Sequence, residues 1–194
     1  MTGAHPAVID AVLSNRTNRT VIARLPGLGL GDDAWLASGA VFQAVWNAVT
    51  GRPPDYGITD CDVIYFDADT SWDAEDAHIR RVAAATSDLP VAVEVRNQAR
   101  VHLWYQKKFG LPYPPLRDAT DALDRFLATV AQIAIRPAPV GFQVLAPRGV
   151  ADIVTLTVRP NRCANFSAAC YAAKARAWQA RWPEVTIVPA AAGW

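Results

Sequence analysis

The sequence has little cysteine, no long apolar run and almost no net charge. Three cysteines occur among 194 residues, none in a Cys-x-x-Cys pair, which argues against a disulfide framework and a structural zinc site. No apolar run reaches about 20 residues, the length of a membrane-spanning helix. The N-terminus lacks the basic and apolar regions of a signal peptide. We therefore expect a cytoplasmic protein in a reducing setting, without a membrane partner.

The low net charge also bears on partners. With 19 basic and 18 acidic residues, the formal charge is +1, so no strong field attracts a long nucleic acid. Nucleic acid is therefore a less favoured partner, although a local basic patch is left open. The length and the 52% hydrophobic content indicate one globular domain with a sizeable core. Oligomeric state is left open.

Apolar periodicity predicts an α/β (α+β) fold with a small mixed sheet flanked by helices. Strands are predicted at 35–38, 60–66, 91–96, 132–136, 142–145 and 185–188. Helices are predicted at 6–14, from 21 to about 25, and at 40–49, 71–86, 99–109, 118–130 and 167–181, with a capping box at Thr70 and Asp73. The segment 149–158 fits a helix or a strand, and a helix is favoured. A rigid connector, 111–115, divides a core at about 32–110 from a C-terminal lobe at about 116–190.

Acidic residues lie within two of the predicted strands. Asp60 and Asp62 point to one face of their strand because successive side chains alternate. Glu94 lies in the middle of the apolar strand VAVEV, where burial without a partner would be costly. Glu94 either forms an ion pair with Arg96 or Arg100, or joins the two aspartates around a cation. Hard cations such as magnesium take oxygen ligands of this kind.

Six strings in order resemble a family of short bacterial nucleotidyltransferase-like proteins within the DNA polymerase beta superfamily. They are SGAVFQAVWN, TDCDVIYFD, WDAEDAHI, EVRNQARVHLWY, FGLPYPPL and VRPN. The superfamily pattern is a small-residue turn before a helix, a strand with acid-x-acid, and a third acid on a later strand. Ser38-Gly39, Asp60-Cys61-Asp62 and Glu94 occupy these places. The turn here reads Ser-Gly instead of Gly-Ser, and the third acid is Glu instead of the commoner Asp.

The resemblance implies transfer of a nucleoside monophosphate from a nucleoside triphosphate to a hydroxyl acceptor, with release of pyrophosphate. It implies two Mg²⁺ (or Mn²⁺) ions held by Asp60, Asp62 and Glu94 as catalytic and metal-binding residues. Ser38 and Gly39 would contact the phosphates at a helix N-terminus. The acceptor, a small molecule or a macromolecule, is not identified by the sequence.

The residues after Glu94 are candidates for nucleotide binding. Arg96, Asn97, Gln98 and Arg100 suit phosphate, ribose or base contacts. Asn97-Gln98 is equally interpreted as a helix cap, and His102 as a structural histidine. Further candidates for phosphate contacts, more often surface or structural residues, are Arg159, Asn161 and Lys174. Trp72 and Trp104 are candidates for base stacking, although core packing is the more usual role, and Leu103 and Trp104 are predicted to pack inward from the 99–109 helix.

Two other functions compete with this one. The segment VIYFDADTS is similar to the first motif of haloacid-dehalogenase-type phosphatases, with Asp67 as nucleophile and Asp69 as general acid. That family also needs a later lysine and a later acidic pair at strand ends. Lys107 and Lys108 lie on a predicted helix, and no downstream strand ends in paired acids. The second alternative is a non-catalytic domain of the same fold that binds a nucleotide or a partner protein.

Overall fold

The computed structural model describes residues 2–3 and 5–191. The strands are β1 (Thr2–Gly3), β2 (Trp35–Ala37), β3 (Asp60–Tyr65), β4 (Ala92–Asn97), β5 (Ala134–Pro137), β6 (Phe142–Leu145), β7 (Thr157–Val158) and β8 (Thr186–Ile187). The α-helices are α1 (Pro6–Ser14), α2 (Arg16–Arg24), α3 (Gly39–Thr50), α4 (Trp72–Ala85), α5 (Val101–Phe109), α6 (Ala151–Val154) and α7 (Ala168–Arg181). Short 3₁₀ helices cover Leu25–Gly27, Thr120–Arg125 and Thr129–Ala131.

Six strands form one mixed sheet in the order β1-β6-β5-β2-β3-β4. The strands β3 and β4 are parallel and are joined through α4, whereas the other neighbours in this sheet are antiparallel. The strands β7 and β8 form a separate parallel pair. A mixed sheet flanked by helices is the predicted architecture, so the predicted fold class is confirmed.

The alternation of side chains along β3 gives the sheet two different faces. Cys61, Val63 and Tyr65 enter the main core beneath the helices. Ile64 belongs to a second, smaller apolar cluster on the other face, together with Leu123 from the 3₁₀ segment. Asp60 and Asp62 therefore lie on the same face of the sheet as Ile64, away from the main core.

An aromatic cluster fixes α7 against α3. The ring centroid of Trp178 on α7 lies 5.1 Å from that of Phe42 and 6.2 Å from that of Trp46, and the centroid of Trp182, the residue after α7, lies 5.4 Å from that of Trp46. The indole N–H of Trp182 donates to Asn47 Oδ1 at 2.9 Å, so this fully buried ring is also satisfied as a donor. Through these contacts, the C-terminal helix is held beside the helix that follows Ser38.

Most predicted elements agree with the structure, and four details were wrong. The 118–130 segment forms 3₁₀ turns because Asp118 Oδ1 accepts from the Thr120 hydroxyl and from Asp121 N, as in an Asx turn. The 149–158 segment splits into α6 and β7, with Leu156 at φ 50° between them. Helix α4 is capped by Ser71 and not by Thr70, because the Ser71 side chain accepts a hydrogen bond from Ala74 N. Leu103, predicted to pack inward, is 56% exposed.

The sheet continues across the predicted connector at 111–115. Strand β5 pairs antiparallel with β2, so Leu36 lies opposite Ile135. The two predicted parts of the chain thus share one sheet. In the described residues, no helix combines the length and apolar character needed to cross a membrane.

Candidate functional site

Parallel pairing brings the predicted acids of β3 and β4 together. In the register of these strands, Asp62 lies beside Glu94, and Asp60 lies beside Ala92. Asp60 is exposed, Asp62 is half-buried and the Glu94 side chain is 52% exposed. Two carboxylates from different strands therefore sit side by side on the face of the sheet away from the main core.

The environment of Asp62 opposes its ionisation. Burial and, to a smaller extent, the nearby charges of Asp60 and Glu94 raise the pKa of Asp62, whereas Lys174 and Arg96 lower it, and the combined effect is a pKa of about 6. Burial and like charge both disfavour a carboxylate. Asp62 is thus placed where a positively charged partner would be stabilising.

The donor chemistry of these acids suits magnesium or manganese, which take carboxylate oxygens. Across the described residues, no three His, Cys, Asp or Glu side chains are gathered into a ready-made metal site. Glu94 instead accepts from Arg96 Nη2 at 3.3 Å. One oxygen of the Glu94 carboxylate, Oε2, is therefore already engaged by a guanidinium group.

The Ser38-Gly39 turn begins α3 in an unusual backbone conformation. Ser38 has φ 54° and ψ −119°, a region that favours glycine, and its side chain makes no capping hydrogen bond. Its amide donates to Ile133 O at 2.8 Å, and its carbonyl accepts from Val41 N and Phe42 N at 3.0 Å. Ser38 therefore holds a strained backbone conformation directly before α3, at the turn that the sequence pattern identified.

A cleft of about 500 Å³ opens over the two acids. Asp62 and Glu94 line it together with Arg96, Gln98 and Lys174. Lys174 also borders a small cavity of about 30 Å³ beside Ser38. Two predicted parts of the site, the acids and the turn, are therefore linked by a lysine of α7.

Much of the remaining wall of the cleft was not identified from the sequence. Besides Trp104, which was a candidate, its aromatic and polar residues include Tyr105, Phe109, Tyr113, Arg125, Phe126, Asn165 and Cys170. Tyr113 lies within the string FGLPYPPL, which carries part of the family resemblance but had no predicted role. These residues come from α5, the connector, a 3₁₀ helix, two loops and α7, so no local pattern connects them.

The four predicted nucleotide-binding residues after Glu94 have different surroundings. Arg96 and Gln98 line the cleft. Asn97 is 1% exposed, and its amide group holds the loop after β3 by accepting from Asp67 N and donating to the Asp67 and Asp69 carbonyls. It also accepts from Ala99 N. Asn97 therefore supports the loop, and the helix-cap interpretation is wrong because α5 begins after Arg100, with no side-chain cap.

Arg100 is tied to α4 instead of the cleft over the acids. Its Nη1 forms a buried ion pair with Glu75 Oε2, and its Nε donates to Thr70 O at 2.8 Å. Its guanidinium carbon lies 5.4 Å from the centroid of the exposed Trp72 ring. Arg100 and Trp72 line a second groove of about 750 Å³, which shares Arg96 and Trp104 with the cleft.

Other candidates have structural contacts. Arg159 pairs with Asp152 at 3.0 Å, and the buried Asn161 donates to the Asp124 and Phe126 carbonyls at 2.9 Å. His102 has a buried Nδ1 without a hydrogen-bond partner in the described part of the chain. Of the further candidates, Trp104 and Lys174 line the cleft.

The loop acids of the phosphatase alternative serve local turns. Asp67 Oδ1 accepts from Asp69 N, and Asp69 Oδ1 accepts from Ser71 N, both at 2.9 Å. Hydrogen bonds from the backbone and hydroxyl of Ser71 lower the pKa of Asp69, the reverse of what a general acid needs. Lys107 and Lys108 lie in the last turn of α5. The phosphatase arrangement is therefore not favoured.

Comparisons with known proteins agree with this fold. An NMR structure reported to reveal a CCA-adding enzyme head domain matches with a TM-score of 0.76 and 23% identity, over 94% of this chain and 95% of that chain. At that identity the likeness shows the fold. A search of curated proteins found no match. The family model described as nucleotidyltransferase matches residues 24–187. This match spans most of the chain, so the protein belongs to that nucleotidyltransferase family.

Proposed function

We propose that the protein transfers a nucleoside monophosphate from a nucleoside triphosphate to a hydroxyl acceptor in a metal-dependent reaction. The acceptor oxygen forms a bond to the α-phosphorus, the bond from that phosphorus to the α–β bridging oxygen breaks, and pyrophosphate leaves. The observation that carries this proposal is the pairing of Asp62 with Glu94 at a cleft of about 500 Å³, which is large enough for a nucleotide.

Each part of the site has a role in this reaction. Asp60, Asp62 and Glu94 would hold Mg²⁺ or Mn²⁺, which when bound lowers the pKa of the attacking hydroxyl and neutralises charge on the leaving phosphates. Gly39 leaves room for a phosphate at the start of α3, since a β-carbon there would meet only Gln43, at 3.4 Å or more. Lys174 and Arg96 supply positive charge beside the acids. Asn97 keeps the adjacent loop in place.

The acceptor is the least defined part of the proposal. The matched NMR structure is described as a CCA-adding enzyme head domain, which makes a nucleic-acid end one acceptor to include in assays. The formal charge of +1 does not favour a long nucleic acid, since phosphate contacts dominate such binding. Small-molecule hydroxyls therefore belong in the same panel.

Pyrophosphate release from each of the four triphosphates, with Mg²⁺ or Mn²⁺ and a panel of acceptors, tests the proposal. We expect activity in the wild type and a loss of at least about 100-fold in Asp62→Asn, because the isosteric amide removes a metal ligand. Asp88→Asn is the matched control, since Asp88 is an exposed partner of Arg24. Equal activity in wild type and a folded Asp62→Asn protein would contradict the proposal.

A second candidate is nucleotide binding without transfer. It is favoured by the Glu94–Arg96 ion pair and by the lack of a preassembled three-ligand group among the described residues. Titration calorimetry distinguishes the two. Nucleotide binding that is unaffected by Mg²⁺ and by Asp62→Asn, with no pyrophosphate released for any acceptor, would favour the binding domain.

A further inference from the structure

Part of the cleft wall, called here its aromatic end, is formed by Tyr105, Phe109 and Tyr113, which lie far along the chain from Asp62. The ring centroids of Tyr105 and Tyr113 are 4.5 Å apart, and those of Tyr105 and Phe109 are 4.7 Å apart. The guanidinium carbon of Arg125 lies 5.9 Å from the Tyr113 centroid. Rings and a guanidinium plane are surfaces on which a flat ligand can stack.

Two buried polar atoms at this end have no hydrogen-bond partner in the described part of the chain. They are Arg125 Nε, a donor, and Asn165 Oδ1, an acceptor. The orientation of Asn165 is set by its Nδ2, which donates to the Tyr105 hydroxyl at 3.1 Å and to Arg125 O at 3.0 Å. Asn165 is 3% exposed. Buried polar groups are nearly always paired, so this donor and acceptor call for a ligand.

We propose that this end of the cleft binds the base of the nucleoside triphosphate, an inference that rests on the proposed function. A nucleobase is flat and carries a hydrogen-bond acceptor next to a donor on its pairing edge, which complements Arg125 Nε and Asn165 Oδ1. The base stacks on Tyr113 or Tyr105. This orientation directs the phosphates toward Lys174, the residue shared with the cavity beside Ser38.

Affinity for phosphate-free nucleosides tests this assignment separately from catalysis. Binding of the four nucleosides, up to millimolar concentration, and of tripolyphosphate is measured by ligand-observed NMR and calorimetry on the full chain. We expect wild type to bind at least one nucleoside. Arg125→Lys keeps the charge but loses the Nε donor, so we expect nucleoside affinity to fall about tenfold and tripolyphosphate affinity to change less than about twofold.

Controls separate a base contact from other effects. Arg117→Lys is the matched variant, because Arg117 is 85% exposed and pairs with Asp121 on the surface; it should leave both affinities unchanged. Tyr113→Leu should weaken nucleoside binding by removing the stacking ring. The nucleoside that binds should compete with its own triphosphate.

Several results would overturn the assignment. The first is that wild type binds no nucleoside. The second is that Arg125→Lys lowers the affinities for tripolyphosphate and for nucleoside equally. The third is that a bound nucleoside does not compete with the triphosphate, which would mean that this region binds an aromatic acceptor. Asp62→Asn should retain nucleoside affinity. If nucleosides bind as expected but no transfer occurs in wild type, the base assignment stands and the proposed reaction fails.

Discussion

Burial and neighbouring negative charge both raise the pKa of Asp62. Asp62 lies beside Glu94 across the β3–β4 pair, with Asp60 two positions earlier on the same face. Its pKa of about 6 means that the folded chain binds this proton more tightly than an unfolded chain does, since an ordinary aspartate titrates near 3.9. Ionised Asp62 therefore destabilises the folded protein, and a bound cation would offset this destabilisation.

This pKa predicts a pH-dependent effect of Asp62→Asn. Ionised Asp62 reduces stability fully above pH 6, and the reduction fades as the pH falls from 6 toward 4, where both states become protonated. In metal-free buffer at pH 7.5, we expect Asp62→Asn to raise the free energy of unfolding by about 1–2 kcal/mol, less than the full shift because the group is partly hydrated. Urea denaturation across this pH range measures the effect.

Asp88→Asn provides the opposite case. The pKa of Asp88 is lowered by its hydrogen bonds with Arg24, so its ionised form stabilises the fold at neutral pH and this contribution is lost as the pH falls through the folded pKa. The substitution should therefore reduce stability slightly at pH 7.5. If Asp62→Asn were less stable than wild type at pH 7.5, ionised Asp62 would not destabilise the fold, and this prediction would be wrong.

At the scale of elements, an ion pair joins α4 to the turn after β4. The Glu75 side chain is 3% exposed and the Arg100 side chain is 11% exposed. Glu75 also accepts from Asn97 N at 2.9 Å. Together these contacts fix α4 against the strand that carries Glu94.

Breaking this pair should be costly. Glu75→Ala leaves Arg100 buried without its partner, and we expect a loss of about 3–5 kcal/mol in the free energy of unfolding. The double variant Glu75→Leu, Arg100→Met should recover at least about half of that loss, because no charge is left buried. Asp76→Ala breaks the exposed pair with Arg80 and should cost under about 1 kcal/mol. Equal costs for Glu75→Ala and Asp76→Ala in urea denaturation would contradict this account.

The sequence predicted the elements whose side chains repeat regularly. The period-two pattern of 91–96 identified β4 and the face of Glu94, and the helical spacing of 6–14 identified α1. It did not predict the 3₁₀ turns after Asp118, where side-chain hydrogen bonds compete with a regular helix. It also did not predict that Tyr113, Arg125 and Asn165 line one cleft, because their proximity depends on the tertiary packing of distant segments.

At the scale of the whole molecule, the predicted core at 32–110 depends on the rest of the chain. Strand β5 covers the β2 edge, and Trp46 donates to Ile153 O at 3.0 Å. Trp182, fully buried, packs on Trp46 and lies against Gly57, where a β-carbon would come within 2.6 Å of the indole. Removal of the C-terminal half would expose these surfaces to water.

Truncation after Gly110 should therefore prevent cooperative folding. We expect residues 1–110 to lack a sharp thermal transition and dispersed amide NMR signals, because the sheet loses β5 and β6 and the main core loses the aromatic contacts of α7. The full chain should unfold in one transition. A reversible, cooperative transition in the fragment would show that residues 1–110 are an independent folding unit.

The position of β4 at the end of the sheet has a consequence for self-association. Within the described residues, no strand pairs with its outer edge, and an open edge is a template on which another chain can add a strand. Glu94 and Arg96 place exposed charges there, which discourages such pairing. Both residues also line the cleft, so a second molecule docked on this edge would compete with a ligand for the cleft. Self-association at high protein concentration would then lower the activity per molecule.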